Sequence, residues 1–263
     1  MDIEKITGSV CEICLETGNW IKKEAGRFTS SDVESKGRHN YVTYVDKGAE
    51  KMLVERLQEL VPESDIIAEE GNYPPGGFDH TWIIDPLDGT TNFIHSIPFY
   101  SISVALSHKD VLISGVILDI MSGECFYASK DKGAFLNGEP VSVSGSDSLE
   151  DSLLATGFPY VLAGKFESYL ALFKDLVQSS RGIRRLGSAA LDLAYVACGR
   201  FDGFYEFGLN PWDVAAGAVI SREAGGNVTD FQGKDSYLHG NQIIASNGKI
   251  HGEIHSIIKR YFD

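Results

Sequence analysis

The sequence predicts a layered α/β (α+β) protein in which helix and sheet layers alternate. Residues 1–145 form a half rich in antiparallel sheet and residues 146–263 a mixed α/β half that closes onto it. Three observations carry this reading. Apolar residues recur at helical spacing at the start, six β-rich runs crowd between residues 64 and 138, and strands alternate with helices after residue 146.

Ile3, Ile6, Val10, Ile13, Cys14, Trp20 and Ile21 share one helical stripe, so a first helix is expected over residues 2–25. The polar stretch RFTSSDVESKGRHN reads as an exposed, mobile loop. Helical period returns over residues 44–61, and Pro62, which cannot continue a helix, closes it. SDIIAEE, HTWIID, FYSISVALSH, VLISGVILDI, ECFYASK and GAFLNG then follow with Gly, Asn or Asp between several of them, the pattern of an antiparallel sheet. In the second half LLATGF, GIRRL, RFDGFYEF and QIIAS read as strands. Between and after them, residues 164–179, SAALDLAYVACG, PWDVAAGAVISREAGG and the last dozen residues read as helices. The third of these has Pro near its first turn and Gly-Gly at its end, both ordinary helix punctuation.

The composition, 43% apolar and 23% charged over 263 residues, is that of a soluble globular chain able to bury a substantial core. With 23 basic against 37 acidic residues the net charge is −14, which disfavours nonspecific binding to nucleic acid or anionic lipid. A small anion can still bind where metal ions supply positive charge. The chain has neither a basic start followed by an apolar core nor a run of about eighteen apolar residues, so neither a leader nor a membrane span is expected. Of Cys11, Cys14, Cys125 and Cys198 only the first two are close in sequence, and no second Cys or His pair follows at zinc spacing. They are read as inert thiols of a cytoplasmic protein.

The chemistry concentrates in WIIDPLDGTTNF, residues 82–93. Asp, Pro, Gly and Asn are the residues of turns and helix caps, so D-P-L-D-G-T-T-N has a purely structural reading. Against it, Asp85 and Asp88 stand at the end of a strand, where α/β proteins place their sites. Glu69 and Glu70 end another β-rich run, and Asp213 opens the helix after Pro211 and Trp212. Were these acids to converge, each pair at about 4 Å would repel by about 4 kcal/mol at an effective dielectric near 20. Hard cations or protonation would relieve that. All-oxygen donors select Mg²⁺, Ca²⁺ or Mn²⁺, and paired cations can clamp an in-line displacement at phosphorus, with a metal-activated water attacking. Gly89 lets a phosphate approach backbone amides at a helix start. L-D-G-T also resembles the D-x-D-G-T nucleophile loop of the haloacid dehalogenase class, but the nucleophile's position is taken by Pro86. His39, His80 and His95 are given no role, since carboxylate-bound metals need no imidazole.

WIIDPLDGTTNF together with PWDVAAGAVISREAGG resembles the two signatures of the inositol monophosphatase family, and RRLGSAALDLAYVACGRFDGFYEF is similar to its bacterial members. The likeness runs from Lys36 to the final helix. It implies a Mg²⁺-dependent, lithium-sensitive phosphomonoesterase, with two or three Mg²⁺ per subunit, a homodimer, and a small phosphorylated polyol as substrate. By motif position, Glu69 resembles the ligand of the activating metal, Asp85 the acid bridging two metals and the Leu87 carbonyl a backbone ligand. Asp88 and Asp213 resemble ligands of the metal that stabilises the leaving oxygen. Thr90 resembles the hydroxyl that orients the attacking water with Glu69, and Asp46 the acid that holds that threonine. The amides of Gly89 and Thr90 are implied to receive the phosphate, and Gly187, Ser188, Ala189 and Glu206 to meet the polyol. Lys36 falls where the family has a loop near the metals. Fructose 1,6-bisphosphate and adenosine 3′,5′-bisphosphate are alternative substrates, with Arg184 and Arg185 available for a second phosphate, and a regulatory protein-binding module is the alternative outside catalysis.

Overall fold

In the computed structural model, residues 1–29, 33–37, 40–158 and 164–262 are described. The first helix, α1 (Ile3–Ala25), is capped by Asp2, whose carboxylate accepts from Lys5 N at 3.2 Å. The stretch expected to be a mobile loop instead carries β1 (Val33–Gly37), paired antiparallel with β2 (Asn40–Thr43). Its polar residues hid the strands, and the buried side chain of Val42 anchors them. Lys36 has no described side chain and His39 lies outside the described residues. Next comes α2 (Tyr44–Leu60), which starts with a capping box between Thr43 and Asp46.

A seven-stranded sheet follows in the order β3 (Ser64–Ala68), β4 (His80–Asp88), β5 (Ser101–His108), β6 (Val111–Asp119), β7 (Cys125–Ser129), β8 (Ala134–Leu136) and β9 (Glu139–Val141). Every pairing in it is antiparallel except β3 with β4. The single-turn helix α3 (Thr90–Ile94) leaves the end of β4. A second sheet comprises β10 (Leu153–Thr156), β11 (Gly182–Arg184), β12 (Gly203–Phe207), β13 (Asn227–Thr229) and β14 (Gln242–Ser246). Its order is β11-β10-β12-β14-β13, parallel over the first three strands and antiparallel over the rest. Four helices accompany it: α4 (Phe166–Ser179), α5 (Ala189–Ala197), α6 (Pro211–Glu223) and α7 (His251–Ile258). The short strands β9 and β13 carry too few apolar residues to be seen in the sequence.

Alternation along the strands sorts the core into layers. On β4, Trp82 and Ile84 face α1 and α2, while Ile83 faces Ala190, Ala216 and Ile220 of α5 and α6. On β12, Phe204 meets Leu193, Val214 and Ala218 from the other side of that helical pair, and Tyr205 joins Leu172 of α4 and Ile254 of α7. The order is therefore helices, sheet, helices, sheet, helices. The central pair packs closely because its residues are small. A Cβ at Gly115 of β6 would lie 2.6 Å from the Ala216 carbonyl oxygen, and one at Gly217 would lie 2.5 Å from Leu193 Cβ. Among the described residues no helix is long and apolar enough to cross a membrane. The four cysteines are unpaired, with Cys14 and Cys125 buried.

Candidate active site

A cavity of about 370 Å³ is lined by the end of β4, by β10 and β12 of the other sheet, and by the starts of α5 and α6. It gathers Glu69, Asp85, Leu87, Asp88, Gly89, Thr90, Gly187, Ser188, Ala189, Glu206 and Asp213. Asp46 stands behind this wall. His80 lies elsewhere, with its Nε2 3.1 Å from His108 Nδ1 on β5, and His95 is exposed at the end of α3.

The sequence places the end of the strand at Asp85, but β4 continues to Asp88. Asp85 pairs with Ser103 and Asp88 with Ser101, so β4 carries one extra residue between them. This is a β-bulge, with Pro86 at a position where the ladder needs no N–H. Leu87 N turns back to donate to Asp85 Oδ1 at 3.0 Å. The bulge thus sets two carboxylates and the Leu87 carbonyl along one rim. Gly89, at φ +99°, then swings the chain into α3. A Cβ there would sit 3.1 Å from the Phe99 oxygen and 3.2 Å from the Gly187 oxygen. Because α3 is one turn long, it offers amides to a ligand rather than a helix dipole of any size.

Two acids reach the site through capping geometry. Asp46 Oδ2 accepts from Thr43 N at 2.7 Å and from the Thr43 hydroxyl, while Thr90 Oγ1 lies 3.0 Å from Asp46 Oδ1 and 3.1 Å from the Leu87 carbonyl, with one proton to donate to either. Asp213 Oδ2 accepts from Asn210 N at 2.7 Å at the start of α6. Asp88 Oδ2 accepts from Ser188 Oγ and Ala190 N, both at 2.7 Å, which ties the first sheet to α5. Asn92 makes a second tie, donating to the Phe99 carbonyl at 2.7 Å and the Leu186 carbonyl at 2.9 Å.

Charge is crowded here. Burial pushes the Asp85 carboxyl well up, and the negative charges of Glu69, Asp88 and Asp213 push it further, against the Leu87 N–H. Burial and then Asp88 raise Asp213 to about 8. Asp88 rises by burial to about 6, opposed by Ser188, Ala190 and Arg185. Glu206 is raised by burial to about 8, with Arg185 opposing and Asp88 adding. Among the described residues no three His, Cys, Asp or Glu side chains close up tightly enough to hold an ion as they stand. Asp88 and Asp213 are directed onto protein donors instead.

Several lining or supporting residues carry no role in the sequence reading. Gly157 follows β10, and a Cβ on it would lie 1.9 Å from Glu206 Oε1, so the glutamate carboxylate rests directly on this glycine. Thr156 Oγ1 donates to the Tyr205 carbonyl at 2.7 Å and lies 2.7 Å from Tyr169 Oη, which itself donates to the Gly157 carbonyl. Asp192 lines the cavity from α5, where an acid in an otherwise apolar helix was a visible signal. Asn92 stood inside the quoted WIIDPLDGTTNF, unassigned.

The fold and this site define a layered phosphatase-type architecture with an acidic, all-oxygen pocket. The inositol monophosphatase family model matches residues 2–262, and the chain belongs to that family. It is 46% identical to the Nus factor SuhB of Pseudomonas aeruginosa over 237 residues, 88% of each chain. Among solved structures it is similar to the extragenic suppressor protein suhB of Bartonella henselae, with TM-score 0.93, 37% identity, and coverage of 97% of this chain and 99% of that one. It is also similar to the inositol monophosphatase of Anabaena sp. PCC 7120, with TM-score 0.88, 35% identity, and coverage of 99% and 98%. These likenesses support a phosphatase of this superfamily.

Proposed function

We propose that this chain is a Mg²⁺-dependent phosphomonoesterase that hydrolyses inositol monophosphate to inositol and phosphate. The observation that carries the reading is the convergence of Glu69, Asp85, Asp88, Asp213 and the Leu87 carbonyl on one cavity beside the Thr90–Asp46 hydrogen bond. Mutual repulsion at Asp85 is what a cation would relieve, and the oxygen-only donor set fits Mg²⁺. Glu69, Asp85, Leu87, Asp88 and Asp213 would hold two or three Mg²⁺. Bound Mg²⁺ supplies the positive charge that acidifies a water and stabilises the departing oxygen.

The chain's own groups handle the rest. An ionised Asp46 only accepts, so Thr90 must donate to it or to the Leu87 carbonyl, leaving the Thr90 oxygen to accept from a water. That water's lone pair then points away from Thr90, and Glu69 takes its proton as it attacks phosphorus and the ester P–O bond breaks. The amides of Gly89 and Thr90 receive the phosphate, and Gly187, Ser188, Ala189 and Glu206 orient the polyol. Lithium inhibition, a homodimer and a cytoplasmic location belong to the same reading, and four unpaired thiols suit a reducing compartment.

Phosphate release from inositol 1-phosphate, fructose 1,6-bisphosphate and adenosine 3′,5′-bisphosphate at equal Mg²⁺ tests it. A preference for a bisphosphate would overturn the inositol assignment, and no release from any of the three would overturn the phosphatase. The description of the Pseudomonas relative as a Nus factor favours a second reading in which a role of that kind is carried beside catalysis. At a net charge of −14 it would run through protein partners rather than direct nucleic-acid contact. A site-dead variant that keeps that role would establish it.

A further inference from the structure

We propose that Asp192 is a substrate-recognition residue, accepting hydrogen bonds from ring hydroxyls beside those taken by Glu206 and so favouring a polyol that carries a single phosphate. The inference rests on the phosphatase reading above and concerns the same cavity.

Asp192 is only 2% exposed, yet its side chain lines the cavity, and its Oδ1 has no hydrogen-bond partner among the described residues. A buried carboxylate oxygen without a donor is destabilising, so such groups in folded proteins are normally matched by protein, water or ligand. Asp192 stands in the first turn of α5, where an acid suits the helix dipole, but it is not the cap. Ser188 already caps α5, accepting from Leu191 N at 3.3 Å, and Asp192 N is already bonded to the Ser188 carbonyl at 3.0 Å. The neighbours Leu191 and Leu193 are fully buried, so an apolar residue would suit a purely structural position better.

The charges around it narrow the ligand. After burial, Glu206 raises the proton affinity of Asp192, and Asp88 and Arg185 act on both acids. Arg185 is the one cationic side chain among the described residues lining the cavity. Two acid side chains share one guanidinium at this end. Hydroxyls, which donate, satisfy the open carboxylate oxygens. A second phosphate, which has acceptors only, finds no cation lining this cavity among the described residues besides that shared guanidinium. Arg184, the other candidate for a second phosphate, is exposed and its Nη1 donates to the Ile183 carbonyl at 3.2 Å.

The test is steady-state kinetics of wild type and Asp192→Asn with Mg²⁺ on three substrates: inositol 1-phosphate, fructose 1,6-bisphosphate and phenyl phosphate, which has no hydroxyls. In Asp192→Asn the ratio of kcat/KM for inositol phosphate over phenyl phosphate falls about tenfold, mainly through KM, as loss of hydrogen bonds from ring hydroxyls to a buried carboxyl group requires. The discrimination against the bisphosphate shrinks by a similar factor. A ratio within about threefold of wild type, or an equal fall on all three substrates, overturns the role of Asp192. If wild type releases no phosphate even from phenyl phosphate, the phosphatase reading fails first, and the two failures are distinct. Should Asp192→Asn not fold, Glu206→Gln is assayed with single-deoxy inositol phosphates. A hydroxyl whose removal still lowers kcat/KM about tenfold supports Asp192, and the absence of any such hydroxyl overturns it.

Discussion

Gly157 offers a sharp probe of the polyol end, because substituting it moves a functional group without touching it. Gly157 is not among the glycines with positive φ, so alanine is compatible with the backbone. Its new Cβ, however, would stand 1.9 Å from Glu206 Oε1, 2.1 Å from Cδ and 2.2 Å from Oε2. To reach the 3.4 Å of ordinary contact the carboxylate must retreat by about 1.5 Å. That distance is enough to break a hydrogen bond. The clash falls on the end of a flexible side chain, so relief comes by rotation of Glu206 and the fold loses only about 1 kcal/mol. In an assay at about pH 9, where Glu206 with its pKa of about 8 is ionised, the substrate loses a hydrogen bond to a charged acceptor, about 1.5–3 kcal/mol, or roughly a ten- to hundredfold fall in kcat/KM for inositol phosphate, expressed mostly in KM. Phosphate release across a substrate titration, with a thermal melt of the same preparation, reads both quantities. A Gly157→Ala enzyme with wild-type KM would refute the placement of Glu206 as the hydroxyl acceptor.

Four further outcomes follow from the same geometry. Asp88→Asn keeps acceptors for Ser188 Oγ and Ala190 N, so it should melt within a few degrees of wild type while losing about a hundredfold or more in turnover; near-normal activity would remove Asp88 from the site. Gly187→Ala places a Cβ 2.7 Å from Arg185 Nη1 and 2.8 Å from Asn92 Nδ2 at φ +103°, and should lower Tm by several degrees for about 1–3 kcal/mol of strain; an unshifted melt contradicts it. Mg²⁺ should raise Tm of the wild type by about 2.7 kcal/mol of linkage at a hundred times its Kd, while Ca²⁺ alone supports no turnover; full activity in Ca²⁺ would oppose the proposed water geometry. His251 is held neutral, its pKa lowered by burial and then by His255 to about 4 from an ordinary 6.5, with partners Thr229 Oγ1 and Ser246 Oγ at 2.9 Å. The stability it contributes is complete above pH 6.5 and is lost as pH falls toward 4, so that part of the Tm profile should flatten in His251→Gln.

Periodicity was enough to read the large elements. The stripe from Ile3 to Ile21 and the six β-rich runs translate directly into α1 and β3 to β8, because α1 buries one face and the central strands are buried on both. The acids that line the cavity stood out for a different reason: Glu69, Asp85, Asp88 and Asp213 end β-rich runs or open a helix within a few short motifs. The bulge between Asp85 and Asp88 could not be read, since register depends on a partner strand distant in sequence, as the Asp88–Ser101 pairing illustrates. Gly157 was equally hidden. A glycine after a strand looks like a turn until a carboxylate from a strand fifty residues later is seen resting on it. The hairpin of β1 and β2 escaped because the sequence runs Glu34, Ser35, Lys36 without an apolar residue to mark alternation.

The central pair of helices has a consequence during synthesis. The strands of the first sheet are complete once Val141 has been made, but α6, which covers Ile83, Ala105, Ile117 and Phe126, does not begin until Pro211, 70 positions later. At about 5–20 residues per second the nascent chain spends roughly 4–14 s with one apolar sheet face bare. Slow codons between those points, or a truncated message, should therefore send this protein to chaperones or aggregates rather than to a half-active fragment.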